Sequence, residues 1–183
     1  MGNRTGTYVA FDGLGESEPS KSDFKYYATL LAWSENKNID FRLTNSHEKT
    51  YSVRDDSLRE TLKRRICERL SMSKNMLIVL TSQTRRVGSM LSYEIRKAID
   101  CYELPLIIAY PEYQLVLDVE KARNLWPDVL KQRIDNGIAR AIHIAFKKAP
   151  IMSAISQFSV RDNGLQTGKH YYSLEAYKSW GLC

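Results

Sequence analysis

Cysteine is scarce in this chain of 183 residues: Cys67, Cys101 and Cys183 are an odd number, with no CxxC pair and no metal-type spacing. Neither a disulfide scaffold nor a zinc site is indicated. Cys67 and Cys101 fall among apolar residues and read as packing, and Cys183, being the last residue, is not in a prenylation box. No uninterrupted apolar run approaches the roughly 18 residues of a membrane span, and Met1 to Gly6 lack the hydrophobic stretch of a signal peptide. The expectation is a cytoplasmic protein with no membrane partner. Acidic residues number 21 against 27 basic ones, a net charge of +6 that favours anionic partners such as nucleotides or nucleic acid without choosing between them. No Walker A sequence is present.

What the chain does have is apolar content, 43% with 10% aromatic residues, enough to bury one core and unlike a disordered or collagen-like composition. The run Thr7 to Asp12 (TYVAFD), ended by Gly13 and Gly15, predicts a strand covered on both faces. Phe24, Tyr27, Ala28 and Leu31 at helical spacing behind Ser20 and Ser22 predict a first helix. Ile39 to Leu43 alternates apolar and charged residues, as an edge strand does. Ser57 and Glu60 form a capping-box pattern ahead of Leu58, Leu62, Ile66 and Leu70, the stripe of a second helix. Met76 to Leu80 (MLIVL) reads as a central parallel strand, followed by a third helix with the stripe Leu91, Ile95, Ala98, Ile99 and Tyr102. Leu104 to Tyr110 predicts a fourth strand, a weaker helix begins near Pro127, Ile138 to Phe146 predicts a fifth strand at the other edge, and Pro150 opens a last helix.

This alternation is the signature of an α/β fold: a flavodoxin-like three-layer sandwich, with a five-stranded parallel sheet of order 2-1-3-4-5 and helices on both faces. One domain is expected over residues 1–160. Residues 161–183 hold Tyr171, Tyr172, Tyr177 and Trp180, too aromatic for a solvated linker, and are expected to pack on the domain or on a partner.

Such sheets bind ligands beyond the carboxyl ends of their strands, which selects the loops Phe11 to Ser22, Thr44 to Ser57 and Thr81 to Ser89. A phosphate-accepting receiver needs an aspartate ending the third strand, where Leu80, Thr81 and Ser82 stand instead. Gly13-Leu14-Gly15 begins like a dinucleotide fingerprint, but Glu18 takes the place of the third glycine, so a flexible turn is the better reading. On the third helix Glu94 lies on the shoulder of the apolar stripe, on the side of Met90, and near the strand ends; a carboxylate half withdrawn from water there is a catalytic candidate. The competing reading is an ordinary helical glutamate paired with Arg96 or Lys97. Arg85 and Arg86 suit phosphate oxygens and equally suit plain solvation. Asp12 contacts a ribose or caps the turn at Gly13, Tyr93 is assigned to packing, and His47 to the surface. The run Lys63, Arg64 and Arg65 lacks interleaved aromatics and reads as a wet helix face, which disfavours nucleic acid.

The end of the third strand, the loop Ser82-Gln83-Thr84-Arg85-Arg86 and the helix Ser92-Tyr93-Glu94-Ile95-Arg96-Lys97-Ala98-Ile99 resemble the matching stretch of TIR-like domains, especially the bacterial subfamily of the Thoeris anti-phage system. The order of strands and helices from Thr7 to about Phe158 agrees with that fold. The resemblance implies NAD cleavage with Glu94 as the catalytic carboxylate, NAD entering as substrate with no cofactor and no metal. It implies release of nicotinamide and a cyclic ADP-ribose type of product that reaches a separate effector protein by diffusion, with homo-oligomers formed through TIR surfaces. The substrate-binding set expected around Glu94 is Phe11, Asp12, Asn45, Ser82, Arg85 and Met90. Met90 stands where the family commonly has tryptophan, and Phe11-Asp12-Gly13 departs from its usual polar strand ending. Asn45, Ser46 and His47 fall where TIR domains place a loop that covers substrate or mediates assembly. Two other readings stand beside this one: a non-enzymatic TIR-like assembly module, and an enzyme resembling nucleoside deoxyribosyltransferases.

Overall fold

The apolar runs that lack alternation form the middle of a parallel sheet. In the computed structural model, which describes residues 4–13, 23–35, 42–44, 56–162 and 164–183, β1 (Gly6–Ala10), β3 (Ser73–Val79) and β4 (Leu106–Tyr110) are buried along almost their whole length. Around them the sheet continues through β2 (Leu43–Thr44), β5 (Arg140–Ala145) and β6 (Gly168–Tyr171), in the order β2-β1-β3-β4-β5-β6 with every pairing parallel. A flavodoxin-like sandwich is thus present, with six strands where five were expected.

The helices cover the two faces as the strand periodicity requires. On one face α2 (Asp56–Met72), α3 (Met90–Asp100) and α4 (Asp128–Asp135) bury Ile66, Leu70, Leu91, Ile95, Leu130 and Ile134 against Tyr8, Ala10, Met76, Ile78 and Ile108. On the other, α1 (Phe24–Ser34) and α5 (Lys148–Gln157) bury Tyr27, Leu30, Ile151 and Ile155 against Val9, Leu77, Val79, Ile107 and Ile144. Each such side chain removed from water stabilises the fold by about 1.5–3 kcal/mol before ordering costs.

Three local readings are corrected. In α1 the inward stripe runs through Phe24, Tyr27 and Leu30, and Leu31 faces out, because Tyr26 and Trp33 pack on Phe146 at the flank. β5 is not an edge: β6 pairs with it, and Ile138, expected inside the strand, is 54% exposed. The small residues of β5 do not face water; Ala141 joins the core, Ala145 lies beneath α6 (Leu174–Ser179), and His143 stacks on Trp126 with ring centroids 5.0 Å apart. A 3₁₀ segment over Val119–Leu125 precedes α4, where no helix was expected. The proposed strand residues 39–41 and the caps Ser20 and Ser22 lie outside the described residues, as do the side chains of Ser57 and Leu58.

The C-terminal residues are integrated into the sheet. Tyr177 of α6 is fully buried, and its hydroxyl accepts hydrogen bonds from the backbone N–H groups of Val116 (3.4 Å) and Ala145 (3.3 Å). Trp180 packs edge-on against Tyr172 and Tyr177. At the amino end of the strands, the buried Asn75 amide donates to the carbonyls of Ile155 and Phe158, closing the last turn of α5, and Val160 N–H bonds Lys74 O. No helix among the described residues is long and apolar enough to cross a membrane.

Candidate functional site

The helix that carries Glu94 starts at a defined place. Gly88 turns the chain at φ +74°, and Ser89 caps α3, its hydroxyl accepting from Ser92 N–H at 3.3 Å. From this start the apolar stripe faces the sheet and Glu94 is carried in with it, only 6% exposed. Its Oε1 accepts a 2.6 Å hydrogen bond from the hydroxyl of Tyr8 on β1. The carboxyl is therefore more deeply withdrawn than the helix shoulder suggested, and no Lys or Arg among the described residues forms an ion pair with it. Burial raises its pKa to about 7; the Tyr8 hydrogen bond opposes this, the charge of Asp12 adds to it, and that of Arg69 lowers it. Tyr8 is pushed well above the usual phenol range by burial and by the neighbouring carboxylate, so it remains the donor.

Two more acids stand at the carboxyl end of the sheet. Asp12, 1% exposed, accepts from the backbone N–H of Arg85 (2.9 Å) and from its guanidinium, closest at 2.6 Å. The forked geometry suits a carboxylate, and it fixes the β3–α3 loop onto the end of β1. Asp23, at the start of α1, is also buried; its carboxylate makes no helix cap and instead accepts long hydrogen bonds (3.3 and 3.4 Å) from the Thr81 hydroxyl. Burial raises Asp23 to about 6, offset by the Thr81 bond and reinforced by Asp12. Thr81 and Thr84 close the turn between them, and Ser82 donates through its N–H and hydroxyl to Glu112, which follows β4. Arg86 reaches Asn124 O, and its own carbonyl accepts from Asp128 N–H, tying the loop to α4.

The residues singled out from the sequence therefore separate. Asp12 and Arg85 are joined to each other, and Asp12 acts on Glu94 through its charge. Ser82 is exposed and bonded to Glu112. Phe11 lies on the opposite face of the sheet from Glu94, in a cluster with Phe24 and Tyr27. Met90 lines a cavity on the outer side of α3, with Tyr93 and Arg96, and Glu94 is not in its lining. Asn45 and His47 lie outside the described residues. Tyr8, Asp23 and Glu112 were missed. A tyrosine in the middle of a buried run must find a hydrogen-bond partner, and that signal was available for Tyr8; Asp23 and Glu112 carried none, being loop acids whose partners are distant in sequence. Among the described residues no group of three or more His, Cys, Asp or Glu side chains is arranged to hold a metal ion.

Chemically, this end of the sheet offers a buried carboxyl that exchanges its proton near neutrality and keeps a fixed orientation through Tyr8, beside an acid already neutralised by arginine. Residues 8–115 match the family model of the Thoeris protein ThsB, TIR-like domain. The match takes in Tyr8, Asp12, Asp23, Arg85, Glu94 and Glu112, and covers more than half of the chain. With the parallel sheet and its flanking helices, it establishes that the chain belongs to the Thoeris ThsB TIR-like domain family.

Proposed function

We propose that this protein cleaves NAD, releasing nicotinamide and forming an ADP-ribose-derived nucleotide, cyclic in form, that signals to a separate effector in anti-phage defence. The observation that carries the reading is the Glu94 carboxyl: buried, held by Tyr8, in no ion pair with a Lys or Arg among the described residues, and raised by burial to about 7. Breaking the bond between ribose C1′ and the nicotinamide nitrogen sends the electron pair to the ring, which departs neutral and needs no strong acid. The ribose left behind is oxocarbenium-like. An ionised Glu94 close to the ribose hydroxyls gains favourable interaction as this positive charge develops, and so stabilises the transition state more than the ground state. Tyr8 acts as a positioning residue, and Asp12 biases the proton equilibrium of Glu94. Capture of C1′ by water yields ADP-ribose and a proton; capture by the adenine or by a ribose hydroxyl, with loss of a proton, yields a cyclic product.

A second reading rests on a specific observation. Arg85, expected on the pyrophosphate, is already engaged by Asp12, and the cavity beside α3 is not lined by Glu94. These features favour a non-enzymatic assembly module. The two are separated by incubating the purified protein with NAD, alone and with extract of phage-infected cells, and following nicotinamide and the nucleotide products by mass spectrometry. Release that disappears in Glu94→Gln, with kcat/KM rising through about pH 7 as the carboxyl ionises, is the expected result. Absence of release under both conditions overturns the enzyme reading in favour of the module.

A further inference from the structure

Glu94 and Tyr93 are consecutive on α3, so they point about 100° apart. While Glu94 turns toward the sheet, Tyr93 turns outward into a cavity of about 390 Å³ between α2, α3 and the start of α4. Its walls divide by chemistry. Arg59, Lys63 and Arg96 supply positive charge, and Met90, Tyr93 and Val129 supply apolar surface. Two of these cations share one ring, Lys63 Nζ and Arg96 Cζ each lying 5.8 Å from the centroid of Tyr93, and Lys97 Nζ, which is not in the cavity lining, lies 5.9 Å from it. Lys63 is bonded to Glu60 at 2.6 Å, whereas Arg59 and Arg96 form no ion pair among the described residues. The opening turn of α3, with the Ser89 and Ser92 hydroxyls, faces the same space and adds the positive end of the helix. Like charges held around a single aromatic ring repel one another, and an anion placed among them relieves that repulsion.

We propose that this cavity is a binding site for a phosphate-bearing nucleotide, separate from the Glu94 site. Concavity of this size suits a small molecule better than a flat macromolecular surface. Guanidinium groups match phosphate oxygens in pairs, and the Tyr93, Met90 and Val129 surface accepts the face of a base or sugar. Bare phosphate uses only half of the wall, and an uncharged nucleoside only the other half. The assignment does not rest on NAD cleavage: of the lining residues only Met90 belongs to the substrate-binding set expected around Glu94, and the basic wall of Arg59, Lys63 and Arg96 lies outside that set.

Calorimetric titration of the full chain with ADP, pyrophosphate and adenosine tests the assignment. ADP is expected to bind saturably, more tightly than either fragment. Arg59→Glu and Arg96→Glu are each expected to weaken ADP by about tenfold or more, with thermal melting showing that both variants fold. Glu94→Gln, which leaves every wall of the cavity in place, is expected to bind ADP as the parent does. Lack of saturable ADP binding up to about 5 mM overturns the proposal. So does pyrophosphate binding as well as ADP, or binding lost in Glu94→Gln and kept in both charge-reversed variants, which would place the nucleotide at the sheet end.

Discussion

A carboxyl that is buried and raised to about 7 lowers the stability of its own fold at neutral pH. Unfolded, Glu94 titrates near 4.5; folded, near 7. Between these values the folded chain holds a proton that the unfolded chain has lost, so stability is complete below the lower value, falls as pH rises, and levels off above the upper one. The full loss is about 3 kcal/mol. Glutamine at this position keeps an acceptor for Tyr8 and carries no charge. Glu94→Gln is therefore expected to equal the parent in urea unfolding at pH 4.5 and to exceed it by a few kcal/mol at pH 8. A variant less stable than the parent at pH 8 would refute this account. Asp23, raised to about 6, contributes the same sign in a lower window and is common to both proteins. At this scale helical periodicity drew attention to Glu94 at the margin of the apolar stripe, and the structure buries it there; Tyr8 and Asp23 were missed because their contacts are hydrogen bonds between distant elements.

Elements were legible where one force set them. β3 and β4 are continuous apolar runs, and both are found in place, though β3 begins three residues before the expected Met76, where the Ser73 hydroxyl donates to Arg69 O and the Asn75 NH2 group donates to the end of α5. β5 was misread as an edge because alternation of large and small residues looks the same whether the small ones meet water or bulky aromatics. The aromatic that closes this region is Tyr177. Its hydroxyl satisfies two buried N–H groups, so Tyr177→Phe leaves both without a partner, and a loss of about 1–3 kcal/mol is expected. Thermal or urea unfolding measures it; an unchanged midpoint would mean that water replaces the hydroxyl.

For the whole molecule, the sheet order 2-1-3-4-5 was readable from the succession of strand and helix patterns, and the sixth strand was not. The segment Gly168–Tyr171 is short, polar in part and only half-buried, and it becomes a strand because β5 offers an edge to pair with. Removal of residues 161–183 takes away β6, Tyr177 and the cover over Phe158. The shortened chain is expected to lose cooperative unfolding in circular dichroism and to aggregate in size-exclusion chromatography, since it bares the edge of β5. A monomer with an unchanged melting temperature would show instead that residues 1–160 suffice.

The Asn75 amide grips the final carbonyls of α5, and Val160 is fastened to Lys74, all at the amino ends of the strands. The fold thus anchors its backbone at the pole opposite the acids. Loops leaving the other pole can lengthen, shorten or change composition while the fastening stays intact, so relatives are free to diversify ligand preference there without relearning how to fold.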